Sequence, residues 1–261
     1  MSAEFPAPMP EERRALAPGG ALRVGLYSGS PTSYLAPGEG HPERGVGYLL
    51  GRELARALGI PFEPVIHPRN ADLLKAVRSD EVDVVFTNAT SERASYIHFS
   101  QPLLALEKSV LVPTESPART LGAVTAEGSR IGFSAGSSTA AEFGQIYPQV
   151  SLVAVQSLSE AAALLADASL DGFATNKAIL GQLAAAMGGG RILDGAWGVE
   201  HLALGIPVTR GAGLPFLRRF AAWATGSGAL AQAVAQSGLQ GVKAPAVRAP
   251  RTKSTQAHRA G

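Results

Sequence analysis

The residues able to do chemistry gather in four polar stretches: Ser28–Tyr34, Thr87–Arg93, Ser134–Thr139 and Thr175–Lys177. All are rich in Ser, Thr, Asn or Gly, and Arg93 is a fixed positive charge among them. Gly136-Ser-Ser-Thr139 precedes a run with helical spacing, so its amides and hydroxyls converge where a helix dipole favours an anion. An arginine facing such a terminus would clamp a carboxylate between them. A purely structural use stays open, with Ser137 and Thr139 capping their helix and Arg93 pairing with Glu92 or Asp83. Taken together, at equivalent places in two halves of the chain, these residues favour binding.

Other constellations compete. Gly132-Phe-Ser134-Ala-Gly136 fits the G-x-S-x-G nucleophile elbow, and Asp171 and His201 follow in hydrolase order. Against it, short glycine motifs arise readily in a chain with 30 Gly, and no glycine-rich oxyanion segment accompanies this one. Glu200 and His201 form an adjacent acid–base pair, usable by a cleft enzyme as general acid or equally as a hinge ion pair. His41, His67, His98 and His258 lack metal-ligand spacing, so no metal is expected. With no Walker A or complete dinucleotide fingerprint, no cofactor is expected either. Trp197 could stack on a ligand or sit in the core.

Strands alternating with helices must position these loops. Leu22–Tyr27, Phe62–Ile66 and Val82–Phe86 read as strands around helices at Gly47–Leu58 and after Asn70, where Asn70 or Asp72 can cap. A second series follows: strands Ser109–Pro113, Arg130–Phe133, Val150–Val155 and Leu170–Ala174, with helices Thr139–Ile146, Ser157–Ala168 and Asn176–Met187. It repeats the grammar of the first without an evident repeat of its sequence. Strand Leu202–Pro207 and helices Leu214–Thr225 and Leu230–Gln236 have no third lobe to join, so they pack back onto the first. The fold class is α/β with two lobes, each a mostly parallel sheet flanked by helices. Residues 1–20 are expected as a disordered segment, 21–103 plus 199–242 as lobe 1, 104–198 as lobe 2, and 243–261 as a basic disordered tail. In such sheets ligands sit beyond the carboxyl ends of the strands, where the four polar loops fall.

Composition bounds the answer. The chain has 261 residues, 46% hydrophobic and 17% charged, which excludes wholesale disorder. Cys is 0, excluding disulfides, thiolate nucleophiles and Cys-ligated zinc. The net charge of +2 hides an asymmetry, because residues 1–200 carry 15 positive and 21 negative side chains, a balance of −6. Eight Lys or Arg and no acid follow, five of them from Lys243 onward, without the aromatic pattern of a nucleic-acid surface. No nucleic-acid partner is expected. The first twenty residues contain no apolar h-region, so the chain as given is read as carrying no signal peptide.

Leu22 to about Val242 resembles the periplasmic solute-binding proteins of ABC importers, in the polar amino-acid family. The likeness rests on Ala21-Leu-Arg-Val-Gly25 and Gly45-Val-Gly-Tyr-Leu-Leu-Gly-Arg-Glu-Leu54. Thr90-Ser-Glu-Arg93 before Phe99-Ser-Gln-Pro102, Arg130–Thr139 and Ala168–Asn176 complete it, in order and spacing. It implies a periplasmic-binding-protein type II fold, two lobes on two hinge strands, closing without catalysis on a small anionic organic solute. A monomer handing that solute to a membrane permease is implied too, and periplasmic localisation. An enzyme of cyclohexadienyl-dehydratase type is the alternative on this fold. Residue by residue, the resemblance puts Arg93 on the ligand α-carboxylate, with Asn88, Ser137 and Ser138 adding hydrogen bonds. Thr87, Thr90, Ser134 and Thr139 belong to the same loops, and the stretch from Ser30 to Tyr34 supplies an aromatic wall. The family's aspartate for the ligand α-ammonium falls at Asn176. The ligand is therefore expected to lack a free α-ammonium, unless Glu200 points inward and substitutes.

Overall fold

The computed structural model describes residue 5 and residues 7–38, 40–239 and 242–243. It begins with helix α1 (Pro10–Leu16), which corrects the expectation of disorder across 1–20. Glu12 is buried and accepts from both terminal nitrogens of Arg219, at 2.9 and 2.8 Å. Leu16 is fully buried, and the Phe5 ring meets Phe216 and Phe220 edge-on. One paired acid and two apolar side chains anchor a segment whose Pro/Glu composition reads as disordered.

The first lobe holds β1 (Leu22–Tyr27), α2 (Val46–Leu58), β2 (Phe62–His67), α3 (Asn70–Arg78), β3 (Val84–Asn88) and the short β4 (Ile97–Phe99). Tyr48, Leu49, Leu54, Ala55 and Leu58 recur at helical spacing on α2 and are all buried. Neither Asn70 nor Asp72 caps α3, whose N-cap is Arg69 without a side-chain bond. Asn70 is instead turned across to Gly136 O, and Asp72 pairs with Arg69.

Strand β5 (Leu104–Val112) leads into the second lobe: α4 (Leu121–Val124), β6 (Arg130–Ser134), α5 (Thr139–Ile146), β7 (Ser151–Val155), α6 (Leu158–Ala166), β8 (Gly172–Asn176), α7 (Lys177–Ala186) and β9 (Arg191–Ile192). Strand β10 (Gly198–Pro207) returns, and α8 (Leu214–Gly226) and α9 (Ala229–Gln236) pack onto the first lobe's core. Strand β11 (Val242–Lys243) pairs with β5, so the expected tail is already in register at Lys243; residues 244–261 lie outside the described residues.

Hydrogen bonding runs through one path, β2-β1-β3-β10-β5-β8-β6-β7. It is parallel within β2-β1-β3 and within β8-β6-β7, and antiparallel where β10 and β5 cross between the lobes. These two are the hinge strands. Every residue of β3 and of β8 is buried, as central parallel strands covered on both faces require.

The lobes repeat more than grammar. Arg23 donates from its backbone and guanidinium to Asp83, and its Nη2 donates to Asp80 O. Arg130 does the same to Asp171 and to Ala168 O. Asp80 and Ala168 are the two non-glycine residues with positive φ among those described, at 56° and 59°. A Cβ on Gly25 would sit 2.5 Å from Leu73 Cδ1, and one on Gly132 2.6 Å from Leu170 Cδ1. Arg23-Val-Gly-Leu-Tyr-Ser-Gly-Ser30 thus matches Arg130-Ile-Gly-Phe-Ser-Ala-Gly-Ser137, and Asp83 to Asn88 matches Asp171 to Asn176. The expected absence of a sequence repeat is corrected: a short repeat is present, in β1 and β6 with the turns that follow them and in β3 and β8.

Arg219 holds the Glu12 carboxyl below the usual glutamate range. A depressed folded value means stability present above the unfolded pKa, about 4.3, and lost as pH falls through the folded one. Glu12→Gln should therefore lower stability by about 1–2 kcal/mol at pH 7 and by less as the pH drops below 4. Urea unfolding of parent and variant at pH 7 and pH 3.5 measures this; an equal difference at both pH values would refute it.

Candidate functional site

Between the lobes lies a cavity of about 360 Å³, a size suited to a small solute. Its walls come from the carboxyl ends of β1, β3, β6 and β8 and from hinge strand β10, as the switch-point rule for α/β sheets anticipates.

Arg93 lies just past β3 and is 5% exposed. Its Nη1 donates to Thr87 Oγ1 at 2.7 Å and Asn88 O at 3.3 Å, and its Nη2 to Gly136 O of the other lobe at 3.4 Å. No carboxylate among the described residues pairs with it: Glu92 is turned to Arg78, and Asp83 to Arg23 and Arg210. A buried guanidinium held by neutral acceptors has its charge uncompensated, which is costly unless an anion arrives. Thr87 Oγ1 accepts from Arg93, so its hydroxyl proton is free for another acceptor.

Facing it is the turn between β6 and α5. Ser137 Oγ is buried without a partner, and so is Thr139 Oγ1. Ser138 is the N-cap of α5, and its Oγ accepts from Asn88 Nδ2 across the cleft at 3.1 Å. Glu200, on β10, is the one carboxylate lining the cavity among the described residues, and its Oε2 accepts from Asn176 Nδ2 at 2.9 Å. The other end of Asn176 is committed, since Oδ1 caps α7 by accepting from Ile179 N at 3.0 Å. Tyr27 completes the wall with Ser30 and Thr32, hydroxyl to hydroxyl at 3.2 and 3.3 Å. Burial raises the Tyr27 phenol above its usual range, with Glu200 adding to the rise, so it stays a neutral donor.

The lobes are in contact around this cavity. Arg69 Nη1 donates to Gln156 Oε1 at 2.9 Å and Asn70 Nδ2 to Gly136 O at 3.0 Å, each bond bridging the cleft. The conformation is closed.

The model of the bacterial extracellular solute-binding proteins, family 3, matches residues 22–245. The chain belongs to this family. None of the curated proteins compared matches it in sequence. Among solved structures, a mutant of ArgBP from T. maritima is 19% identical with a TM-score of 0.76, covering 87% of this chain and 99% of that one. A solute receptor for L-cysteine of Neisseria gonorrhoeae is 22% identical, TM-score 0.76, covering 86% and 92%. The ancestral amino acid-binding protein AncCDT-1, described as a precursor of cyclohexadienyl dehydratase, is 16% identical, TM-score 0.72, covering 86% and 97%. At these identities the likeness is one of fold: the two-lobed α/β architecture of type II periplasmic binding proteins.

Against this family 3 binding fold the expected site residues sort clearly. Ser30, Thr87, Asn88, Arg93, Ser134, Ser137, Ser138 and Asn176 line the cavity together. Three do not. Thr90 caps the turn before Arg93, accepting from its backbone N–H at 3.2 Å. Thr139 is buried at the start of α5 behind the lining. Tyr34 is buried against Tyr48 and donates to Glu43 at 2.9 Å, so the aromatic wall is corrected to Tyr27 with Phe86. Trp197 is core: its Nε1 donates to Ser109 O at 2.9 Å and its ring meets Phe143 edge-on. The Ser134 hydrolase reading fails on geometry. Asp171 is tied to Arg130 at the start of β6 and Ser134 ends it, roughly 13 Å away at strand rise. Tyr27, Gln156 and Ser157 line the cavity although the sequence did not single them out, and Thr175, which opens the fourth polar stretch, lines it too. Thr175 corresponds to Thr87 of the first lobe.

Gly136 sits where the lobes touch. Its φ is +76°, and a Cβ there would lie 2.6 Å from Ala71 Cβ of the other lobe. Gly136→Ala meets that clash only on closure. It should weaken solute binding at least about tenfold (1.4 kcal/mol) while shifting the unliganded melting temperature by a few degrees. Calorimetry with unchanged affinity would show that the lobes do not close in this register.

Proposed function

We propose that this chain is the periplasmic recognition component of an ABC importer, a non-catalytic monomer that closes on a small solute and presents it to a membrane permease. The observation that carries the solute reading is the buried Arg93 guanidinium without a carboxylate of its own, sharing one cavity with a single acid, Glu200. A carboxylate would lie against Arg93 Nη1 and Nη2 and the free hydroxyls of Thr87 and Ser137. An ammonium would find Glu200. The expectation of a ligand without a free α-ammonium rested on Asn176 and allowed for Glu200 substituting; Glu200 lining the cavity beside Asn176 supports that exception. The solute supported best is therefore an amino acid zwitterion.

Its side chain is neutral in this reading. The remaining lining charge, Arg69, is balanced by Asp72 and bonded to Gln156, and no second acid lines the cavity among the described residues to hold a cationic side chain. Gln156, Ser157 and Ser159 offer hydroxyl and amide partners at that end.

The test is a thermal-shift screen followed by calorimetry with glycine, L-alanine, L-serine, L-threonine, L-asparagine, L-glutamine, L-arginine and L-aspartate, and with the 2-oxo acid of each binder. A neutral amino acid should bind more tightly than its 2-oxo acid. Glu200→Gln should weaken the amino acid about 30-fold or more, as loss of one partner of a buried charge pair does, and leave the 2-oxo acid unaffected. Arg93→Lys should weaken both, because an ammonium cannot reproduce the planar fork. Tighter binding of the 2-oxo acid by the parent would restore the ligand without an ammonium, and turnover of any panel compound would replace the binding reading with an enzyme.

A further inference from the structure

Lys108 is fully buried and lies outside the cavity lining. It sits on hinge strand β5, in register with Gly198 of the other hinge strand and with Asn176 of the second lobe. Its Nζ donates to Glu142 Oε2 at 2.6 Å and to Ser138 Oγ at 3.4 Å, and lies 4.9 Å from the centre of the Trp197 ring. Glu142 belongs to the first turn of α5, one turn past Ser138.

Ser138 Oγ therefore receives two donors, the Lys108 ammonium from behind and Asn88 Nδ2 from the first lobe. Neither group can accept in return at those atoms. The remaining direction for the Ser138 proton is the cavity it lines. There it faces the region bounded by Arg93 and Ser137, where an anion is expected. The chain of contacts continues, because Asn88 Oδ1 accepts from His201 N of β10 at 3.0 Å. One ammonium on the first hinge strand is thereby linked to the second through one hydroxyl and one amide side chain.

We propose that Lys108 is a positioning residue for solute binding, acting through Ser138: it fixes that hydroxyl as a donor into the cavity and holds the first turn of α5 against the hinge. This rests on the reading of the cavity as a carboxylate site, and it needs nothing from the identity of the solute side chain. Glu142 is the counter-charge that makes a buried lysine tolerable, and it is the half-exposed member of the pair. The ammonium is thus the end of the pair aimed at the binding turn.

The experiment is a double-mutant cycle between Lys108→Met and Ser138→Ala. The probe is whichever of glycine, L-alanine, L-serine, L-threonine, L-asparagine and L-glutamine binds the parent most tightly. Lys108→Met should weaken binding about tenfold (1.4 kcal/mol) in the parent, chiefly through faster release, and by less than about twofold once Ser138 is Ala. A lysine that only stabilises the fold would cost the same affinity in both backgrounds, and that result overturns the proposal. Should Lys108→Met not fold, Glu142→Gln takes its place in the cycle, with a smaller loss of the same sign expected and the same criterion. If none of the six compounds binds the parent, the neutral-amino-acid reading falls on its own. Lys108 is then decided by hydrogen exchange: faster exchange of the Thr139–Glu142 amides in Lys108→Met or Glu142→Gln supports its hold on α5, and unchanged exchange overturns it.

Discussion

The cavity is organised by one unfavourable fact, a buried guanidinium without a counter-ion. Arg93 is held by a threonine hydroxyl and two backbone carbonyls, acceptors that fix its plane without neutralising its charge. Every nearby acid is already engaged elsewhere. Asp83 is locked by two arginines at the opposite end of β3, and Glu92 faces Arg78. These two carboxylates are thus kept from Arg93 by cations of their own, and the one acid that lines the cavity among the described residues, Glu200, accepts from the neutral Asn176 amide. A site built this way would gain from an anion, because its arrival relieves a cost the fold already carries. Closure supplies the rest, since Gly136 O reaches Arg93 only when the lobes meet.

Around that charge the two lobes present nearly the same equipment. Each offers a glycine–serine turn after its first strand, at Ser30 and Ser137, and a Thr-Asn pair at the end of its central strand. Each locks that central strand from below with an arginine on the first strand. The equivalence breaks where selectivity is needed. Asn88 spans the cleft to Ser138 and back to hinge strand β10, whereas Asn176 caps α7 and turns its amide to Glu200. Arg93 belongs to one lobe, and Glu200 to the hinge. A polar but nearly symmetric cavity thus becomes a directional one, with a positive end and a negative end.

Much of this was legible in the sequence, for physical reasons that also mark where reading stops. Periodicity located Thr139–Ile146 to the residue, because a polar turn and an apolar face define a helix locally. The four polar loops were legible because strand ends must open into ligand-binding turns. The direction of a side chain was not. Tyr34 and Tyr27 are both aromatics near the first turn, and which one faces the cavity depends on Glu43 drawing Tyr34 away through a tertiary hydrogen bond. Glu200 read as a hinge pair with His201 or a cleft acid, and only the registry of β10 against β5 decides. Helix α1 escaped because its partners, Arg219 and the α8 aromatics, are some two hundred residues distant.

The position of Glu200 ties recognition to motion. The ladder between the hinge strands pairs residues 198 to 202 with residues 108 to 104, and its midpoint is Glu200 opposite Leu106. A carboxylate at that midpoint moves least when the lobes rotate, so it stays available to a solute in open and closed forms alike. Arg93 and the turn at Ser137 move with their lobes and converge only at the end. A solute can therefore meet the hinge acid first and the Arg93 side of the cavity last. In the zwitterion reading proposed above, a solute bearing both charges gains most from closing, since a ligand shifts a conformational equilibrium no further than its differential affinity for the two states. Discrimination then resides in the closing step, which is the step a downstream partner would sense.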